Sequence, residues 1–399
     1  MRSLAILFAI LGVAIAGATV QVQREMSATY PAGSLAFFEH RMRSSGFPGM
    51  AVAILRDGKV AWAEGFGTMD ARTGQLVTTE TLFHVASVSK TITGTAVMQL
   101  VEQGLVDLDA PVDDYLSFPV RNPGFQDAPI TARMLLTHTS SFRDDEEVYM
   151  SQYTLEAGGG DSPLALSSFV EGYVSPGGLW YDASRNFFDV PPGTDHEYSN
   201  IGFALLGVLV ETVSGEDFVE YCRVNILEPL GMEESSFRIA DVDASLLAHP
   251  HEREDGELKV LPHYSYATYP DGALRTSVAE YALFLQAMMN GGLGANGVRI
   301  LEEATVAKMI TPQVPELNWQ QGLAWDTCQI GNLDPVRCQE GVVPGHTGGD
   351  PGVFAIVFYV PTEKAGAILF VNGLPSLKIG SILDLVAIVK RLVWELDGC

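Results

Sequence analysis

Ser87 and Lys90 stand three residues apart in Ser87-Val88-Ser89-Lys90, at the start of a stretch with helical periodicity. At that spacing two side chains share one helix face, a turn apart. A serine hydroxyl is a weak nucleophile until a base lies within hydrogen-bond reach. A lysine serves as that base when burial or a neighbouring cation disfavours its charged form. Val85-Ala86 before the pair and Ile92 and Ala96 after it point to burial. Free backbone N–H groups at a helix start can also hold a developing oxyanion. Taken alone, the pair reads equally as a helix-capping serine followed by a surface lysine. No other lysine in the chain has a serine three residues before it.

Two more groups have chemistry in reach. Tyr198-Ser199-Asn200 follows the loop Pro191-Pro192-Gly193-Thr194 and precedes an apolar helix, a junction from which side chains project into a cleft. A phenol near a lysine ammonium can shuttle protons, and an asparagine can bind an amide or carbonyl while holding the lysine. Gly345-His346-Thr347-Gly348-Gly349 precedes a strand pattern. Small residues on an edge strand let a substrate backbone approach closely, and the N–H of Gly349 is a candidate second oxyanion donor.

The three groups occur in the order of the β-lactamase / penicillin-binding-protein family, whose class A form is Ser-x-x-Lys, Ser-Asp-Asn and Lys-Thr-Gly. With Tyr-Ser-Asn and His-Thr-Gly in second and third place, the set resembles the class C branch. Its relatives are D,D-peptidases, D-aminopeptidases and esterases with a β-lactamase fold. Phe83-His84-Val85-Ala86, Leu135-Leu136-Thr137-His138-Thr139-Ser140, Pro192-Gly193-Thr194 and Gly272-Ala273-Leu274-Arg275-Thr276-Ser277 are similar to the same branch. The resemblance runs from about Ala32 to about Trp394.

The resemblance implies that Ser87 attacks a carbonyl and that Lys90 takes its proton. Tyr198 passes a proton to the leaving group and helps to activate water. Asn200 orients substrate and Lys90, while His346, Thr347 and Gly348 line the substrate strand. The N–H groups of Ser87 and Gly349 form the oxyanion hole. The product is an acyl-enzyme, with no metal and no cofactor required. A small-molecule or peptide acyl compound is the implied substrate, as an ester or an amide. A true β-lactamase, a transacylase and a non-catalytic regulatory protein on the same fold are the alternatives. His346 departs from the family, because typical β-lactamases carry lysine there. A histidine is mostly neutral near pH 7, so it offers no fixed charge to a penicillin carboxylate.

The elements that must position these residues give an α+β pattern. Met50 to Arg56 and Lys59 to Gly67 read as a hairpin about Asp57-Gly58, with which the mature chain opens. Helical patterns follow at Thr91 to Gln103, Thr131 to Leu136, Asn200 to Val213, Asp217 to Leu227, Val278 to Asn290 and Glu302 to Ile310. Strands are expected at Gly322 to Trp325, Gly352 to Val360 and Ala365 to Val371, and a last helix at Lys378 to Leu396. The whole reads as an antiparallel sheet flanked by helices within residues 30–396. Its sheet region spans about 30–86 and 265–396, and a helical region is inserted at about 87–264.

Residues 1–18 read as a signal peptide: Arg2, an uncharged apolar run from Leu4 to Ala16, and small residues at Ala14, Ala16 and Ala18. That layout implies a secreted or periplasmic protein with no stable membrane span, or one anchored by an uncleaved N-terminal segment. A formal net charge of -25 disfavours nucleic acid and anionic membranes as partners. Cys328 and Cys338 bracket a short turn-rich loop and are expected to pair, while Cys222 falls in an apolar helical pattern and is expected to be buried. His249, His251 and His263 are expected to be exposed, Asp144 to Glu147 to form a solvated face, and His138 to be a satisfied structural histidine.

Overall fold

The computed structural model describes residues 32–374, apart from 255 and 332, and residues 379–395. The signal-peptide expectation for residues 1–18 lies outside them. Before the hairpin comes a helix that the pattern missed, α1 (Ala32–Ser45). β1 (Gly49–Arg56) and β2 (Lys59–Asp70) then pair antiparallel through Asp57 and Gly58, both at positive φ. That conformation suits the Asp-Gly pair and matches the twist of the strands.

The main sheet is six-stranded and antiparallel. Its order is β3 (Gln75–Leu76), β2, β1, β10 (Ala365–Val371), β9 (Val353–Val360) and β8 (Gly345–Asp350). Both ends of the chain therefore contribute to one sheet, as expected. The strand alternation sorts the core into two layers. Met50, Val52, Ile54, Ala367, Leu369 and Val371 pack on Phe38 of α1 and on Leu385, Ile388 and Leu392 of the last helix. Ala51, Ala53, Leu55, Ile368 and Phe370 face the helical part of the chain. Burial on both faces explains why β1, β9 and β10 read as continuous apolar runs.

Short pairs complete the scaffold. β4 (Phe83–His84) pairs with β7 (Arg275–Thr276), and β5 (His251–Glu254) with β6 (Glu257–Val260). The helices nearest the site are α2 (Lys90–Glu102), α3 (Ala132–Leu136), α4 (Glu146–Ser151) and α5 (Asn200–Ser214). α6 (Val278–Met289) covers the sheet, and α7 (Ile379–Glu395) is the last helix. Thr131, Ser199 and Ser277 cap their helices by accepting N–H groups, and Gly215 ends α5 at φ 76°. Among the described residues no helix is long and apolar enough to cross a membrane.

Several expectations need correction. Gly322 to Trp325 is a turn, closed by Gly322 N–H donating to Trp325 O, with Ala324 at φ 64°. Burial of Trp325 supplied the apolar signal there. His251 is not exposed: its Nε2 accepts the Ala71 N–H, and its Nδ1 bonds Asn372 O. The acidic run Asp144 to Glu147 is not one solvated face either. Asp145 is buried and caps α4, and only Glu146 and Glu147 are exposed. Cys328 and Cys338 form a disulfide, and Cys222 is buried.

Candidate active site

The chain between β4 and α2 makes a tight turn with Ala86 at φ 47°, a conformation that costs a non-glycine residue energy. Ser89 holds it by donating to Ala86 O and accepting the Leu274 N–H. Ser87 then sits on a single 3₁₀ turn, Ala86–Ser89, that leads straight into α2. Lys90, one turn on, is fully buried. Its ammonium donates to Ser87 Oγ at 3.1 Å, Asn200 Oδ1 at 2.7 Å and the backbone oxygen of Asp271 at 2.6 Å. The Tyr198 ring centroid lies 5.0 Å from the same nitrogen.

Tyr198 and Asn200 reach this point because α5 starts beside it. Asp144, which sequence reasoning placed in solvent, anchors that start. Its carboxylate accepts the Asn200 N–H at 2.7 Å, the Ile201 N–H at 3.2 Å and the Ser199 hydroxyl at 2.8 Å. A carboxylate suits the positive end of a 15-residue helix. Burial nevertheless raises its pKa, with these hydrogen bonds acting in the opposite direction. His138 accepts the Ser199 N–H through Nδ1 and stacks on the Tyr198 ring at 4.2 Å. Its burial and the Lys90 ammonium hold its pKa well below the usual histidine value. His138 is thus a satisfied buried histidine that also sets the Tyr198 ring.

The opposite wall is β8. A Cβ on Gly348 would lie 2.2 Å from Val85 O and 3.1 Å from the Ser87 nitrogen. The edge strand therefore rests its backbone on the nucleophile turn. Ser87, Tyr198, Asn200, His346, Thr347 and Gly349 line one cavity of about 330 Å³. Gly348 does not line it, because it packs against the turn. His346 is 9% exposed and donates from Nδ1 to Thr347 O. Burial, followed by the nearby Lys90 charge, lowers its pKa to about 4, so it is neutral at pH 7.

A family model described as Beta-lactamase matches residues 36–387. The chain belongs to the beta-lactamase family. It is 29% identical over 374 residues to penicillin-binding protein 4 of Amycolatopsis lactamdurans, covering 88% of this chain and 86% of the relative. Its fold matches a penicillin-binding protein from Bacillus halodurans with a TM-score of 0.68 at 24% identity, over 89% of this chain and 98% of that one. It also matches the D-amino acid amidase from Ochrobactrum anthropi SV3 with a TM-score of 0.66 at 19% identity, over 90% and 98% of the two chains. The same fold is found in EstCE1, described as a hydrolase with promiscuous acyltransferase activity, with a TM-score of 0.66 at 19% identity over 90% of this chain and 97% of that one.

The cavity of this beta-lactamase-family protein also contains residues that sequence reasoning missed: Tyr149, Tyr153, Tyr266, Asp271 and Asp350. The signals were faint. Asp350 directly follows the glycine-rich motif, and Asp271 sits in Pro270-Asp271-Gly272. Tyr149 donates to both oxygens of Asp271 at 3.1 Å, and Tyr153 donates to Asp350 Oδ1 at 2.7 Å. Burial raises the pKa of each carboxyl to about 7. Asp350 faces Tyr153, Tyr266, His84 and, at longer range, Arg275 and Lys90.

A stability effect follows for Asp350. Its carboxyl titrates at 3.8 when unperturbed and at about 7 in the fold. Between those values the folded chain holds a proton that the unfolded chain has lost. Stability therefore falls as pH rises through that window, by at most about 1.4 kcal/mol per pH unit. Asp350→Asn removes this dependence, while the histidines contribute equally to both proteins. Melting temperatures at pH 5 and pH 8 are expected to show the difference between variant and wild type moving in the variant's favour at pH 8. An unchanged difference would mean that this carboxyl ionises freely in the fold.

Proposed function

We propose that this chain hydrolyses an ester or amide through an acyl-enzyme formed on Ser87. The observation that carries the reading is the buried Lys90 ammonium, 3.1 Å from Ser87 Oγ and fixed by Asn200 and Asp271. In its neutral form Lys90 takes the hydroxyl proton as Ser87 Oγ attacks the carbonyl carbon. The oxyanion is held by the N–H groups of Ser87 and Gly349, on the two walls that meet at Gly348. Tyr198, whose ring centroid lies 5.0 Å from the Lys90 nitrogen, hands a proton to the leaving group. Water activated by the same pair then releases the acyl group. Asn200 holds Lys90 and offers its amide to the substrate.

His346 supports an ester or amide in preference to a penicillin or cephalosporin. It is neutral and already bonded to its neighbour's carbonyl, so it supplies no charge to a substrate carboxylate. The apolar run at residues 4–16 and the Cys328–Cys338 disulfide support an exported protein.

A substrate panel tests the reading. The enzyme is expected to turn over a short-chain nitrophenyl ester or a D-alanyl amide with kcat/KM well above that for a chromogenic cephalosporin. His346→Lys is expected to raise cephalosporin turnover relative to ester turnover by about tenfold or more, since a hydrogen bond to a charged group contributes about 1.5–3 kcal/mol. Cephalosporin turnover above ester and amide turnover in the wild type would contradict the argument from His346.

A further inference from the structure

Lys90 must shed a proton before it can serve as a base, yet in the resting site it donates to three oxygens. That arrangement suits an ammonium, which has three donors and no acceptor. One of the three, the backbone oxygen of Asp271 at 2.6 Å, belongs to a residue whose side chain takes no part in the acyl-transfer steps. Asp271 ends the single 3₁₀ turn Tyr269–Asp271. Thr93 of α2 fixes that turn by donating to Pro270 O at 2.6 Å, so the helix that carries Lys90 also holds Asp271 in place.

The Asp271 carboxyl is buried, at 1% exposure, and lines the cavity. Tyr149 of α4 donates to both of its oxygens at 3.1 Å. Among the described residues, no lysine or arginine side chain forms an ion pair with it. Arg275 donates instead to the carbonyls of Phe237, Ala273 and Tyr264. The carboxyl carbon is three bonds from the carbonyl carbon whose oxygen holds Lys90, which keeps it within about 7 Å of the ammonium. Asp144, Asp350, Tyr266, His138 and His346 complete the titratable surroundings of the pair. The Asp144 charge is met by two N–H groups and a hydroxyl at the start of α5, and Asp350 is bonded to Tyr153. Both histidines are neutral at pH 7. Lys90 is left as the cation that faces Asp271.

We infer that Asp271 is a positioning residue whose carboxylate holds Lys90 as an ammonium until the pH is well above neutral, and so sets the pH at which Lys90 becomes the base. The role of Lys90 as base rests on the hydrolase reading above; the hold on its ammonium does not. An opposite charge nearby favours the charged form of a lysine. At about 7 Å and an effective dielectric constant of about 20, one unit charge moves a titration by roughly 1.7 pH units. The Asp271 carboxyl ionises at about 7. The hold therefore sets in as the pH rises through neutrality, and Lys90 releases its proton above that point. Without the carboxylate, Lys90 releases it at lower pH.

The test measures the rate of fluorophosphonate labelling of Ser87 from about pH 5 to about pH 10. It compares wild type with Asp271→Asn and Asp271→Ala, both of which keep the backbone oxygen and lose the charge. The wild-type rate is expected to rise with a midpoint above pH 7. In both variants the midpoint is expected about one pH unit or more lower. On the rising limb the ratio of variant to wild-type rate is then about tenfold higher than on the plateau. A residue that only anchors Tyr149 would change the rate by one factor at every pH and leave the midpoint in place. A midpoint unmoved or raised in a folded variant, or a wild-type midpoint below pH 7, would overturn the inference. Should Asp271→Asn fail to fold, Asp271→Ala and the wild-type midpoint decide. Labelling with an unmoved midpoint would remove the hold and keep the hydrolase reading. Absence of Ser87 labelling at every pH would remove the hydrolase reading. The hold is then read from NMR titration of Lys90 in the same proteins, labelled with carbon-13 at lysine Cε, with the same midpoints expected and the same outcomes overturning it.

Discussion

Ser87→Ala is expected to cut turnover of the best ester or amide substrate by about a thousandfold or more, and Lys90→Ala by a comparable factor. The double variant is expected to be no worse than either single one. The hydroxyl and the ammonium form one contact at 3.1 Å, and each is idle without the other. Non-additivity is the signature of residues that act as a unit. Folding is the control. In Ser87→Ala, Lys90 keeps Asn200 and the Asp271 backbone oxygen. Lys90→Ala strips both of those acceptors in a buried place and is expected to cost about 1–3 kcal/mol of stability. Steady-state kinetics together with thermal melts separate the two losses. Lys90→Ala activity close to wild type would remove Lys90 as the base. Losses that multiply in the double variant would show that the two residues act independently.

Gly348→Ala is the second large effect, and it acts through backbone geometry. The added methyl would lie 2.2 Å from Val85 O and 3.2 Å from the Ala86 Cβ, so β8 or the nucleophile turn must shift. Val85 O belongs to backbone held by β4 and β7, and it cannot swing aside as a side-chain tip can. A displacement of about 1 Å at a reacting centre is enough for a loss of about a hundredfold in kcat/KM. Overpacking of this kind typically costs about 1–3 kcal/mol as well. The expected outcome is a folded protein with a lower melting temperature and activity at or below about one per cent of wild type. Wild-type kinetics in Gly348→Ala would mean that β8 does not form the second wall of the oxyanion site.

Much of this site was legible in the sequence because its signals are local. Ser87 and Lys90 are one helical turn apart, and Tyr198 and Asn200 flank a helix cap. The glycines near His346 announce a close backbone approach. The sheet was legible for the same reason: short apolar runs bounded by turn residues and an Asp-Gly turn are short-range patterns. What stayed hidden depends on long-range placement. Asp144 looked like part of a charged surface run, yet it meets α5 some 56 positions later. His251 sat among charged neighbours, and its burial comes from Ala71 and Asn372, far away in the chain. Asp350 and Tyr153 are 197 positions apart. Nothing in either neighbourhood shows that they share a cavity wall. Gly322 to Trp325 misled in the opposite way: a buried tryptophan in a tight turn has the composition of a strand without its backbone.

The most direct test of the central claim is the site of covalent labelling. Purified protein is treated with a fluorophosphonate and measured as intact protein and as proteolytic peptides by mass spectrometry. The wild type is expected to gain one adduct, on the peptide that contains Ser87, and Ser87→Ala is expected to gain none. An adduct on a different residue, or equal labelling of the two proteins, would contradict Ser87 as the nucleophile.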